Sequence, residues 1–550
     1  MNMKKLILKY CLQNAVFYGG KANPKAVLGK VLAERPELRG KVSEVGKEIE
    51  EAVKKVNTMS LDEQKRELEK IAPELMVKEE KEEKDLPEIP KAEKGKVITR
   101  FAPAPTGPLH ISHVLRAVTI NYLYAKKYKG RFFVRIDDTD PATAEEEFYD
   151  MILEDLEALN IKPDKVFIQS GRMERYYKYA EEMIRKGLFY VCFCRAEKFR
   201  ELKLKKKECE CRESSGVREW KEMLKGNYKE GEAVVRMKTS MKEENPVLRD
   251  PPMLRISEHP HPRKGKKYKV WPLYNYASVI DDHEMGITHI FRGKEHENNT
   301  RIQERVYMYM GWKTPMVINF GMIHLPGMKL HKRDIKEMIR SGKFSGWDDI
   351  RLHTVRALLR RGFVPEALEK TAIQCGLSKS DIRFTWEILE GHNRKIIDSR
   401  ANRYMVVIEP VRISIQNAPE TEKVEIDLHP SFPERGKKTV PVNTEKVFVS
   451  KEDFEKFKGK EVRLKGMGNV KLGKTAEYTG NKIKREMQKI QWVSEPNVRV
   501  EILTPEKTLT GLGEPEMKKL KTGEIIQMER TGFGRVDGVK EKVTVCFAHK

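Results

Sequence analysis

The chain has 550 residues, too many for one hydrophobic core, so roughly three to five structural units are expected. Its 39% hydrophobic and 35% charged residues suit a soluble globular protein, and no uninterrupted apolar run is long enough to span a bilayer. A formal charge of +24 points to a polyanionic partner, nucleic acid first, against the plainer reading of a solvated basic surface. Seven cysteines, an odd number with four clustered, argue against a disulfide scaffold and for a metal site in a reducing cytoplasm.

Residues 1–76 read as a small helical domain with mixed charge and no catalytic constellation. The Lys4-Lys5 start followed by Leu6-Ile7-Leu8 is too brief for a signal peptide. From 77 to 95 the sequence VKEEKEEKDLPEIPKAEKG is dense in charge and proline and reads as a linker.

An α/β pattern begins at 96, and its first half runs to 190. A short apolar run, Val97-Ile98, leads into TRFAPAPTGPLHISHVL (99–115). Pro103, Pro105, Gly107 and Pro108 keep the connection irregular and stiff. Ile111, Leu115, Val118 and Tyr122 then recur at helical spacing. His110 and His113 fall in the first turn of that helix, where free backbone N–H groups and the dipole favour bound phosphate. The next strand, RFFVRIDDTDP (131–141), ends in acids. Ligands of open α/β sheets gather at strand carboxyl ends, so Asp137, Asp138 and Asp140 stand ready for a cationic group or Mg²⁺. The plainer reading is a helix-capping turn, with Asp138 and Asp140 capping while Asp137 faces the ligand.

Residues 191–269 read as an insertion, basic and broken by Pro and Gly beyond 212. Near its start, Cys192 and Cys194 form one C-x-C and Cys209 and Cys211 another, with fourteen residues between the pairs. Four thiolates in two short pairs suit a tetrahedral structural Zn²⁺, with no open coordination position for catalysis. The α/β pattern returns over 270–334. Tyr274 and Ser278 precede Asp281-Asp282, and Arg292 ends a strand-like run just before Gly293. The loop that follows carries Lys329, His331, Lys332 and Arg333 on glycine-flanked chain, which suits a leaving triphosphate. Residues 335–400 read as mainly helical, with LSKSD (377–381) as a helix start capped by Ser378 or Ser380. From 401 to 550 short alternating runs separated by turns read as all-β and barrel-like, basic with interspersed aromatics, as suits a phosphate backbone and splayed bases.

H-I-S-H after PAPTGPL resembles the HIGH signature of class I aminoacyl-tRNA synthetases, and K-L-H-K-R (329–333) is similar to their KMSKS loop. RFAPAPTGPLH, RIDDTDP, YASVIDDHEMGITHIFRGKEH and GWDDIRL together, in this order, resemble the archaeal-type glutamyl-tRNA synthetases over nearly the whole chain. The resemblance implies a Rossmann-type catalytic domain with an inserted acceptor-stem-binding domain, a helical stem-contact region and C-terminal β-barrels that bind the anticodon. It implies ATP with Mg²⁺, L-glutamate and tRNA(Glu) as substrates, with tRNA(Gln) a second candidate, and a cytoplasmic monomer without membrane partners. Catalytic roles fall on His110, His113, Lys332 and Lys329. ATP contacts fall on Ala102, Pro103, Thr106, Gly107, His110, His113 and Lys332. Glutamate contacts fall on Arg100, Asp137, Tyr274, Ser278 and Arg292. Charge logic agrees, because a dicarboxylic substrate wants guanidinium partners. Ser112 and His331 depart from the signatures, which have Gly and Ser there. Two rivals stay open: a glutaminyl enzyme and a catalytically silent tRNA-binding protein.

Overall fold

The computed structural model describes residues 3–18, 20–76, 85–214, 216–327, 332–484 and 487–550. It divides into two compact units, Met1–Asp85 and Leu86–Lys550. No helix among the described residues is long and apolar enough to cross a membrane.

The first unit contains α1 (Met3–Phe17), α2 (Pro24–Glu34), α3 (Val42–Asn57) and α4 (Leu61–Ile71). Leu12, Val27, Val31, Ile49, Val56 and Leu68 are among its buried core residues. Sequence chemistry sets the helix starts: Asn23 caps α2 ahead of Pro24, and Ser60 with Glu63 forms a capping box on α4.

In the second unit β1 (Ile98–Phe101), β2 (Arg131–Ile136) and β3 (Lys165–Ile168) form a parallel sheet in that order. β4 (Phe189–Cys192), β5 (Val234–Met237), β6 (Pro252–Ile256) and β7 (Val270–Pro272) make an antiparallel sheet, whose outer strands reach either side of the stretch 191–269. β8 (His289–Gly293) and β9 (Met316–Phe320) are a second parallel pair. The Thr288 N–H donates to Ile98 O at 2.9 Å, and the Ile98 N–H donates to Thr288 Oγ1 at 2.8 Å. The β8–β9 pair therefore runs along the free edge of β1. Strand order proceeds outward from β1 to β3 on one side and from β8 to β9 on the other. The crevice between the ends of β1 and β8 is the topological switch point, where such sheets bind ligands.

Residues 86–95, read from sequence as linker, instead pack on this unit. Leu86 and Ile89 are buried against Ile120, Leu123, Tyr124 and Phe291. Charge density masked two apolar side chains spaced to reach one surface. The part of the linker from 77 to 84 lies outside the described residues.

The stretch 377–381 is also not a helix start. The helix Pro365–Cys375 ends before it, and Ile382–Arg383 pairs in parallel with Ile323–His324. Asp381 accepts from the Met322 N–H at 2.8 Å, so this segment braces the chain that leads into the cationic loop. A Cβ on Gly321 would lie 2.1 Å from Ser380 O, so only glycine admits that approach.

Past 401 two seven-stranded sheets follow. In one, the edge strands Asn402–Tyr404 and Val406–Ile408 are separated only by Met405. In the other, the edge strands Lys489–Ile490 and Trp492–Ser494 are separated only by Gln491. Neighbouring residues on opposite edges mean that each sheet closes on itself, which removes its free edges. Arg360 joins the first of these sheets to the helical region through Asp537, with both bonds at 2.8 Å.

Candidate active site

The loop after β1 is held from the helical region. The Ile111 N–H donates to His353 O at 3.0 Å, and the Val355 N–H donates to Leu109 O at 2.9 Å. The helix starts at Ile111, so His110 stands just ahead of the first turn rather than within it. It is still the cap, since its carbonyl accepts from the His113 and Val114 N–H groups at 2.9 and 3.2 Å. His113–Val118 forms a π turn, a wide turn that recurs at functional sites.

The two imidazoles lie ring on ring, with centroids 3.7 Å apart and planes tilted by 31°. Burial, with Lys332 adding its charge, pulls His110 down to about 4. Burial likewise takes His113 well below the ordinary histidine value. At neutral pH both rings are therefore uncharged N–H donors, not the cations that a phosphate site suggests from sequence. The charge comes from Lys332. Its Nζ donates to Thr106 Oγ1 at 2.9 Å, and its stem passes over Gly107, where a Cβ would sit 3.2 Å from Cδ and Cε. His110 and Lys332 line one cavity of about 130 Å³ with Arg351 and His353. Lys329 and His331 lie outside the described residues.

At the crevice between β1 and β8 lies a larger cavity of about 440 Å³. Arg100, Ala102, Pro103, His113, Tyr274 and Arg292 all line it, and Arg116 and Glu295 join them. Arg292 is buried, donating to Tyr274 Oη at 3.2 Å and to Thr300 Oγ1 at 2.6 Å. Its Nε has no partner, and among the described residues it makes no ion pair. Arg100 differs: Nε and Nη2 grip Asp282 at 3.0 and 3.2 Å. Asp282 in turn accepts from Arg135 Nη1 at 2.7 Å, and Arg135 holds Asp137 through Nε at 2.6 Å and Nη2 at 3.1 Å. Arg135 Nη2 also donates to Ser278 Oγ at 3.2 Å. Ser278 and Asp137 thus face Arg135 and do not border the cavity; burial, outweighing Arg135, holds the Asp137 carboxyl up at about 6.

Arg135 is the hub that sequence reading missed. It sits fully buried in an apolar run, RFFVRI, and the only signal was an arginine in a strand interior just before two acids. Asp138 and Asp140 are also not free for a cation or a helix cap. Asp138 accepts from Tyr149 Oη and the Ser170 N–H, each at 2.7 Å, and Asp140 pairs with Arg255 at 2.7 Å. The helix begins only at Glu147, because Asp140 folds a turn over 141–143 first.

In the inserted sheet, the Cys192, Cys194, Cys209 and Cys211 sulfurs all lie within 4.8 Å of one another. Cys192 and Cys209 are 3.9 Å apart, and Cys194 and Cys211 are 4.0 Å apart. A tetrahedral ion with Zn–S bonds of about 2.3 Å has sulfur–sulfur edges of about 3.8 Å. The donor set and its dimensions fit Zn²⁺, whereas a disulfide needs about 2.05 Å.

A doubly wound parallel sheet whose switch point joins a half-buried imidazole pair, a lysine and a guanidinium without an ion pair is the framework of a nucleotide-using α/β enzyme. Comparison with known families refines this. Residues 96–399 match the model of the tRNA synthetases class I (E and Q) catalytic domain. Residues 401–490 and 489–537 match the two anti-codon binding domain models of the same group. The chain is 47% identical over 575 residues to the glutamate–tRNA ligase of Pyrococcus abyssi and 46% identical to that of Pyrococcus furiosus, with 100% of each chain covered. It is 40% identical over 563 residues to that of Methanocaldococcus jannaschii, again with 100% of both chains covered. The chain belongs to the class I tRNA synthetases of the E and Q group.

Proposed function

We propose that the chain is a glutamate–tRNA ligase. It joins L-glutamate to ATP as glutamyl-adenylate, releases pyrophosphate and passes the glutamyl group to the 3′-terminal adenosine of tRNA(Glu). The observation that carries this reading is Arg292, a buried guanidinium without a carboxylate partner, facing a cavity it shares with Arg100, Tyr274 and His113. A buried cation there favours an acidic side chain over an amide. ATP enters as its Mg²⁺ complex. His110 and His113 donate N–H bonds to the phosphates, and Lys332 supplies the charge that meets the leaving pyrophosphate. No covalent enzyme intermediate is needed; catalysis is alignment plus electrostatics. The barrels bind the anticodon end, in keeping with the net charge of +24.

The test is ATP–pyrophosphate exchange with purified tRNA present. Exchange with glutamate at a higher kcat/KM than with glutamine supports the reading; the reverse makes the chain a glutaminyl enzyme, and none with either makes it a silent tRNA binder. Charging tRNA(Glu) and tRNA(Gln) side by side then decides the tRNA range.

Asp137 supplies a pH dependence. As a carboxylate it holds Arg135, which through Asp282 sets Arg100 at the cavity wall; protonated, it loosens that network. With its carboxyl at about 6, kcat/KM for glutamate is expected to be flat above pH 6 and to fall as pH drops below it, by up to about tenfold per unit. Asp137→Asn should be low and flat across the same range. A wild-type profile without that limb removes Asp137 from the network that positions Arg100.

The four cysteines hold a structural Zn²⁺ that clips the inserted sheet. Exhaustively dialysed protein is expected to retain about one zinc per chain, and Cys209→Ser to lose it. Less than half an equivalent in the wild type removes the claim.

A further inference from the structure

We propose that Ser112 is a positioning residue that fixes the tautomer of His110, so that the ring presents its Nε2–H to the phosphates of ATP; this rests on the ATP-dependent reading above. Ser112 stands where the HIGH signature has glycine, and it brings a hydroxyl to that position. Ser112 Oγ lies 2.7 Å from His110 Nδ1.

A hydroxyl carries one proton and must place it on an acceptor. Among the described residues Nδ1 is the only acceptor in hydrogen-bond range of this one. If Oγ accepted a proton from Nδ1–H instead, its own O–H would have no protein acceptor among the described residues and would turn to the cavity, whereas donation satisfies both groups within the protein. Donation is therefore favoured, and it leaves the lone pair on Nδ1 and the hydrogen on Nε2. The opposite tautomer would turn an Nε2 lone pair on the phosphate oxygens and repel them.

The ring has little freedom to escape this bond. It is stacked on His113 at 3.7 Å, and its backbone bridges to Thr354. The titratable groups around it are His113, Lys332 and His353, and none of them favours a second proton on the ring. A neutral imidazole donates from one nitrogen only, so the tautomer decides whether His110 helps or hinders. Ser112 also borders the larger cavity, whereas His110 and Lys332 line the smaller one.

Two measurements test this. The first is long-range ¹H–¹⁵N correlation of the imidazole nitrogens in full-length protein labelled with ¹⁵N-histidine. His110 is assigned among the 13 histidines by His110→Gln. The wild type and Ser112→Thr are expected to show the Nε2–H form, and Ser112→Ala a mixture of both forms. The second is tRNA-dependent ATP–pyrophosphate exchange. Ser112→Ala and Ser112→Gly should lower kcat about tenfold with KM for glutamate unchanged, and Ser112→Thr should recover most of it. An Nδ1–H ring in the wild type, or identical His110 spectra in wild type and Ser112→Ala, overturns the proposal. So does an unchanged kcat in Ser112→Ala. The spectra need no substrate, so absence of exchange in the wild type would defeat the functional reading while the tautomer is still read directly.

Discussion

Arg292→Ala is expected to lower kcat/KM for glutamate by several hundred-fold or more while leaving KM for ATP within about threefold. The estimate follows from the substrate carboxylate, which would otherwise enter a buried site and find no partner, at a cost on the order of 3–5 kcal/mol. The same substitution should leave thermal stability unchanged or slightly raised. In the free protein Arg292 is 5% exposed and, among the described residues, bonded only to the Tyr274 and Thr300 hydroxyls. Its charge is desolvated without return until a substrate arrives, which is the pattern of a binding group held at the expense of stability. Arg100→Ala makes the contrast. It strips Asp282 of a two-bond partner at 3.0 and 3.2 Å and leaves that buried carboxylate on Arg135 alone, so both activity and melting temperature should drop. Exchange kinetics and calorimetry on the two variants separate the roles. Equal losses for glutamate and ATP in Arg292→Ala, or a lowered melting temperature, would make the arginine structural.

What the sequence reveals of this site, and what it hides, divides along physical lines. Residues that announce themselves do so by standing in loops at strand ends, where little else constrains side-chain type: HISH, Arg292 before Gly293, and the cysteine pairs. Their meeting across the crevice follows from a parallel sheet that reverses order there. Arg135 is hidden because strand periodicity marks it only as one more inward position between Val134 and Ile136. That three carboxylates gather around it depends on Asp281 and Asp282, more than a hundred residues away, and no local pattern carries that information. Protonation is hidden for the same reason. The spacing of the histidines says nothing of their charge, which burial and the neighbouring Lys332 set to neutral. Acidic runs mislead in their own way. Asp138 and Asp140 look like ligand groups, and their partners, Tyr149, Ser170 and Arg255, come from helix, loop and inserted sheet. The alternating runs after 401 mark barrels, but the places of closure, Met405 and Gln491, are hidden, since strands that are adjacent in sequence ordinarily pair with each other and here stand on opposite edges.

Lys332→Ala is expected to reduce kcat for adenylate formation by about 10²–10³-fold, with KM for glutamate and the melting temperature nearly unchanged. Lys332 enters no ion pair among the described residues, and its ammonium rests on a single hydroxyl, Thr106 Oγ1, at 2.9 Å. Burial, helped by the Lys336 charge, already pushes its pKa below the usual lysine value. An ammonium that is desolvated yet has no carboxylate to neutralise it gains most when a phosphate chain accumulates negative charge, which is greatest as pyrophosphate leaves. The loss should therefore fall on kcat and not on ground-state binding. Lys332→Arg keeps the charge but exchanges a compact ammonium for a planar fork in the space over Gly107, so it should recover activity only in part. Thr106→Val should cost less than Lys332→Ala, because it frees the ammonium without removing it. If Lys332→Ala instead raises KM for ATP and spares kcat, the lysine holds the nucleotide before the reaction and the burden of stabilising the leaving group passes to His110 and His113.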